Sequence, residues 1–317
     1  MASPGTPSSQ QPPLRRNCGA VQSYFGTLDK FPKFRDNQGA LEARTRDFMN
    51  RGEAALRTTL TTIPVVVHVV YNTDEENLSD EQIGSQIDVL NADYQINNAD
   101  IDKVPDPFKP LIGNPLIAFE LATAEPNGNP TTGITRTETS KSSFSIDTEE
   151  MKSSATGGAD AWDTRRYLNI WVCTMVGGIL GYAQFPGGPP DTDGVVILNT
   201  AFGNTGTARP PFNLGRTATH EVGHYLNLSH IWGESRVPSC SDSDFVTDTP
   251  NQYGPNGGKP TFPHVTCNNA PHGDMFMNYM DYVDDDTMFM FSKEQVARMH
   301  AALEFERSQL GTPSPGM

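Results

Sequence analysis

His220-Glu221-Val222-Gly223-His224-Tyr225-Leu226-Asn227-Leu228-Ser229-His230 is the stretch on which the reading of the whole chain turns. On a helix, residues at i and i+4 share a face, so His220 and His224 reach one metal ion while Glu221 sits beside it. Ala218, Val222, Tyr225 and Leu226 line one side of the same segment, which predicts a helix over Thr217 to Leu228. His230 lies too far along to share the face of the first two histidines, so the helix must break before a third ligand arrives. Asn227 stands at the break, and after glycine Asn is among the residues most tolerant of left-handed backbone. Three neutral imidazoles with one open position describe a catalytic zinc, whereas structural zinc sites are closed and rich in thiolate. The nearest thiols, Cys240 and Cys267, lack the spacing of a CxxC pair.

Working upstream, Ile63 to Tyr71 (IPVVVHVVY) is almost continuously apolar and β-branched, the pattern of a strand buried on both faces. Ser79 and Gln82 form a capping box ahead of Ile83, Ile87, Leu90 and Tyr94 at helical spacing. Strand followed by helix implies an α/β unit. Leu116 to Ala124, Leu168 to Cys173 and Gly194 to Leu198 read as further strands. A weakly apolar helical pattern over Leu41 to Leu56 precedes Thr58 to Thr62, which reads as an exposed linker. Downstream, Ser235 to Thr287 is irregular, rich in Gly, Pro, Asn and Asp. Ser292 with Gln295 opens a last helix that carries Val296, Met299 and Leu303, runs on through Leu310 and ends at Gly311.

A chain of 317 residues buries a sizeable core, and its formal net charge of -15 argues against nucleic-acid partners and anionic membranes, which are gripped by clustered Lys and Arg. No stretch approaches the roughly 20 apolar residues of a membrane-spanning helix. Met1 to Pro13 lacks an apolar core and reads as a disordered leader, not a signal peptide. The 4 cysteines are too few for a disulfide scaffold but leave room for one bridge. Cys173, in an apolar strand, reads as a small buried hydrophobe, and His68, His264, His272 and His300 are assigned to structure or surface.

Asn278 to Tyr282 (NYMDY), HEVGHYLNLSH and IPVVVHVVY, with FSKEQVARM and DFVTDTP in their order and spacing, resemble the pappalysin family of metzincins, its ulilysin-like members in particular. The likeness runs from about Arg16 to Arg298. In the metzincin pattern HExxHxxGxxH a glycine stands where this chain has Asn227.

The resemblance implies an α/β (α+β) metzincin zincin fold with a twisted, mostly parallel sheet, an active-site helix and an irregular C-terminal subdomain. It divides the chain into a leader and latency pro-segment at 1–57 and a catalytic domain at 58–317, with an upper part to about 230 and a lower part from about 231. It implies a secreted zinc endopeptidase acting on proteins or peptides and made as a latent zymogen. His220, His224 and His230 would hold zinc, Glu221 would act on the metal's water, Tyr282 would bind the oxyanion, and Met280 would lie beneath the metal. Cys18 would occupy the open zinc position in the latent form. Cys240 and Cys267 would pair. Asp244, Thr249 and the carbonyl of Thr247 would bind calcium. Gly181 to Ala183 would be the edge for an extended substrate. Asp285 would line the pocket for Arg or Lys after the scissile bond, with Asp284 and Asp286 as neighbouring alternatives. Leu56-Arg57, and after it Asn50-Arg51, would be the sites of autolytic activation. A silent binding module, hinted at by Asn227, and a hydrolase of non-peptide amides or esters stand as alternatives. The intact Glu221 and Tyr282 weigh against the first.

Overall fold

A computed structural model describes residues 15–52, 56–235 and 237–310, so the leader and Gly311 lie outside the described residues. Strand β1 (Thr61–Tyr71) is the axis of the main sheet. Along one edge it pairs in parallel with β2 (Ile117–Leu121) through its first half and with β3 (Ile134–Glu138) through its second. Its other edge pairs in parallel with β4 (Leu168–Cys173), β4 pairs in parallel with β6 (Val195–Leu198), and the short β5 (Gly181–Ala183) closes the sheet antiparallel to β6. The sheet is therefore mostly parallel with one antiparallel margin.

The unbroken apolar run of β1 is explained by cover on both faces. Ile63, Val65, Val67 and Val69 share a core with Ile83, Ile87 and Leu90 of α3 (Asp80–Asp93) and with Ala218 and Val222 of α4 (Arg216–Tyr225). Val70 faces the other way, into Phe144, Met151, Trp171 and Leu180. Beyond α4 the chain has little regular structure until α5 (Lys293–Phe305), apart from the two-residue pair β7 (Gly257–Gly258) and β8 (Tyr282–Val283). A Cys240–Cys267 disulfide braces this region.

Several boundaries differ from the sequence reading. Two N-terminal helices form instead of one: α1 (Ala20–Lys30) and α2 (Phe34–Asn50), neither with a side-chain N-cap to announce it. The hydroxyl-rich run at 58–62 is not all linker, since Thr61 is buried and already belongs to β1. Ser79 does cap α3, accepting from Gln82 N at 3.2 Å, but the Gln82 side chain turns away to Phe202 O and Thr207, so the box is half formed. At Ser292 and Gln295 both halves are made. Helix α5 stops at Phe305, with Glu306 as its C-cap, short of Leu310. Helix α2 lies against α5, where Phe48 meets Phe305 edge to face at 6.2 Å.

Candidate active site

Helix α4 carries His220 and His224 into the interior and then stops within one turn. Asn227 adopts φ 71°, and its N–H and that of Leu228 return to the carbonyls of His224 (2.9 Å) and Gly223 (3.0 Å). This is the paired hydrogen-bond closure of a left-handed helix end, with Asn in the place usually given to glycine. The reversal brings His230 back to the other two rings. His224 Nε2 stands 3.1 Å from both His220 Nε2 and His230 Nε2. Below them Met280 is fully buried, and Gly223 lets it approach, since a Cβ there would lie 2.5 Å from the Met280 sulfur.

Each ring is fixed from behind. His220 Nδ1 donates to Tyr279 O at 2.7 Å, His224 Nδ1 to Leu228 O at 2.7 Å, and His230 Nδ1 meets Glu234 Oε2 at 2.8 Å. Donation from Nδ1 leaves the lone pairs on Nε2, which converge. Burial, and then the other imidazoles, hold His220 well below the usual histidine range, and burial with His230 does the same for His224. His220 and His224 are thus neutral ligands, and the 3.1 Å separations of the Nε2 atoms come close to those around a tetrahedral ion with bonds of about 2.0–2.1 Å. The donor set fits zinc.

Cys18 is buried, and its Sγ and the three histidine nitrogens all lie within 4.8 Å of one another. The thiol points at Glu221 Oε2, 3.3 Å away, and accepts from Ala20 N at 3.2 Å. Burial and then Glu221 push the thiol well up. Glu221 itself is raised by burial to about 8, with the Cys18 hydrogen bond and Arg16 pulling the other way. The backbone around Cys18 lies along β5 as an added parallel strand: Gly19 N donates to Gly181 O at 2.8 Å and Leu180 N to Asn17 O at 2.9 Å. The free edge of the sheet is thus occupied by the N-terminal segment. The Tyr282 hydroxyl donates to the Cys18 carbonyl at 3.3 Å.

Two residues before Cys18, Arg16 enters a closed pocket at the start of α4. Its guanidinium meets Asp285 Oδ1 at 2.5 Å, Thr217 Oγ1 at 3.1 Å and Val283 O at 3.2 Å, over the Phe212 ring at 5.0 Å. The second oxygen of Asp285 accepts from Leu214 N at 2.7 Å and Arg216 N at 3.3 Å. Of the three neighbouring aspartates, only Asp285 is fully buried, while Asp286 pairs with Lys259 near the surface.

Asp244 and Thr249 come together, with Thr249 Oγ1 donating to Asp244 Oδ2 at 2.7 Å, and burial raises Asp244 to about 7. Thr247 is exposed, and its amide and hydroxyl turn to Glu294.

Sequence reasoning missed Glu234 and Arg16. Glu234 binds both the amide and the ring of His230 at 2.8 Å, and its i+4 spacing was the available signal. For Arg16, the clue was a cation two residues from a lone thiol. Trp232, which stacks on His230 at 4.4 Å, gave no separate sign.

A peptidase family model described as pregnancy-associated plasma protein-A matches residues 152–304. An extracellular metalloprotease of Arthroderma gypseum is 30% identical over 297 residues, spanning 92% of this chain and 85% of the relative. Extracellular metalloprotease 1 of Coccidioides posadasii is 29% identical over 307 residues, spanning 90% and 88%. A promirolysin variant of Tannerella forsythia superimposes with a TM-score of 0.85 at 45% identity, over 94% of this chain and all of that one. Mature mirolysin with a cleaved peptide superimposes at 0.76 and 50% identity over 81% of this chain, again with all of the other chain covered.

Proposed function

We propose, from the premise that this chain belongs to the pappalysin family of metzincin metalloproteases, that it is an exported zinc endopeptidase, made latent, which cuts polypeptides before Arg or Lys. One observation carries the reading: the N-terminal segment lies in the site as a ligand would, with Arg16 on Asp285 and Cys18 among the three histidines.

His220, His224 and His230 would hold the zinc, which when bound supplies Lewis acidity for water and for the scissile carbonyl. Glu221 is not needed as a ligand. Its Oε2 faces the Cys18 thiol, so it faces the position that a water takes once the thiol leaves. A carboxyl raised by burial holds a proton readily, which suits a group that takes one from water and delivers it to the departing amine. Tyr282 already grips a backbone carbonyl beside the histidines, the contact an oxyanion donor requires. Strand β5 offers its free edge to the substrate backbone once Asn17 to Gly19 withdraw.

Asp285 sets the side-chain preference. Its carboxylate is desolvated and anchored by two backbone amides, so it rewards a cation that completes it and penalises a neutral residue that leaves it unpaired. Latency ends by cleavage of the connection to β1. Arg57 N donates to His300 Nδ1 at 3.2 Å, and the Arg57 side chain reaches Thr61 and Leu303, so Leu56-Arg57 must first lift from α5. The mature neighbour covers less of this chain than the precursor does, in keeping with loss of an N-terminal piece.

Export is supported by the extracellular relatives and by the disulfide, which persists in oxidising surroundings. A calcium ion at Asp244 and Thr249 would explain a carboxylate buried with only neutral donors.

The test is to incubate the purified protein with a denatured mixed proteome, with and without a chelator, and sequence the new termini. Termini beginning with Arg or Lys, abolished by the chelator, are expected. Termini without that bias overturn the specificity.

A further inference from the structure

Helix α4 has a site at each end. Its first turn, at Thr217, faces the Asp285 pocket, while the segment just beyond its C-terminal end, at Asn227 and Ser229, opens on a cavity of about 380 Å³ on the far side of the histidines. The cavity lies between α1 and α2 on one side and Phe185, Phe245 and Arg298 on the other. Phe185 borders His224, with ring centroids 5.3 Å apart, so the space adjoins the metal ligands directly.

Two cations line this space, Arg35 and Arg298, and since Arg35 belongs to α2, Arg298 is the one carried by the body of the molecule. Its side chain is 3% exposed, its guanidinium lies 5.4 Å over the Phe245 ring, and its Nε donates to Asn227 O at 3.4 Å. The other two nitrogens are taken by Glu42 of α2 in a two-pronged pair of 3.2 and 2.8 Å. Phe245 is held at φ 65° and is 57% exposed, a costly conformation for a bulky residue at the mouth of the cavity. Two further carboxylates stand near, and both are engaged: Glu234 with His230, and Asp244 with Thr249.

We infer that Arg298, walled by Phe245 and Phe185, is a subsite for an acidic side chain of the substrate, on the amino side of the scissile bond. The inference rests on the reading above, in which Asp285 receives the residue after that bond and α2 departs on activation. When α2 leaves, it takes the only carboxylate paired with this guanidinium among the described residues. What remains is a planar, two-pronged donor flanked by Phe245 and Phe185, and a guanidinium that has lost its carboxylate favours a ligand that restores the pair. Glu42 occupies in the precursor the place that a Glu or Asp of the substrate takes in the activated enzyme.

The activated parent enzyme is given peptides that share Arg after the scissile bond and differ by Glu, Gln or Lys at each of the four preceding positions. At one position Glu should exceed Gln in kcat/KM by about tenfold or more, with Lys below Gln. Arg298→Gln should bring the Glu-to-Gln ratio to about one, and Arg298→Lys, which keeps the charge but not the fork, should leave it intermediate. Equal rates for Glu and Gln at every position in the parent overturn the inference, as does an unchanged ratio in folded Arg298→Gln. If Arg298→Gln does not fold, the parent ratios still decide. Failure to cut any of the peptides before Arg, the Gln series included, would overturn the reading of Asp285 and this inference with it.

Discussion

Arg16 and Asp285 meet at 2.5 Å with side chains 1% and 0% exposed, a pairing between residues from opposite ends of the chain. A carboxylate so completely desolvated discriminates strongly. Asp285→Ala should therefore lower kcat/KM for cleavage before Arg by about 10- to 100-fold, with little change before neutral residues. Arg16→Ala should shorten latency through the same pocket. A peptide-library profile and an activation time course check the two, and a cleavage profile in Asp285→Ala that still favours Arg would refute the first.

Glu221→Ala should reduce turnover by about 10²- to 10⁴-fold while the protein still binds one equivalent of zinc, because the three imidazoles are each positioned by groups other than Glu221. Elemental analysis alongside the kinetics separates the two effects. Loss of metal together with activity would make Glu221 part of the metal's support.

Cys18→Ala should leave the precursor folded and speed its conversion severalfold. Only the sulfur is removed, whereas Arg16 and the backbone contacts to Gly181 and Leu180 remain, so latency should weaken without vanishing. Electrophoresis of parent and variant at matched concentration reads the rate, and identical rates would remove the thiol from the latency device.

His68 governs part of the acid stability. It is buried in β1 between Thr135 Oγ1 (2.8 Å) and Asn169 Oδ1 (2.9 Å), and burial lowers it to about 4. An unfolded histidine titrates near 6.5, so between these values the unfolded chain binds more protons and stability rises with pH. The contribution is complete above 6.5 and is lost as pH falls toward 4, up to about 3 kcal/mol. Urea unfolding at pH 4.5 and 7.5 should show a smaller pH difference in His68→Gln than in the parent. An equal difference would mean that other groups carry the effect.

The sheet and the histidine cluster were legible because their signals are local. The β-branched run of β1 and the i, i+4 spacing of His220 and His224 each state a periodicity that the backbone obeys. Asn227 was legible for a similar reason, since a helix that must break before His230 needs a left-handed residue at one place. The start of α2 was not, because Phe34 is the one apolar residue in Phe34 to Gly39, and its burial comes from packing against Tyr24 and Phe185, which no window of sequence displays. The same holds for Arg16 and Glu42, whose partners Asp285 and Arg298 lie across nearly the whole chain. Gln82 marks a subtler limit: its spacing from Ser79 was right for a capping box, yet the buried amide found better partners in the loop at Phe202 to Thr207.

The N-terminal helices are joined to the rest of the molecule through the single crossing from Asn50 to Thr61. While that tether is intact, blocker and cleft share one molecule, and the blocker acts at an effective concentration set by chain length, on the order of millimolar for a short connection. Dilution does not touch it. Once the tether is cut, the same contacts belong to two molecules, and occupancy follows the total amount of protein present. A crowded compartment would keep the severed enzyme quiet, and release into a larger volume would switch it on with no further chemistry.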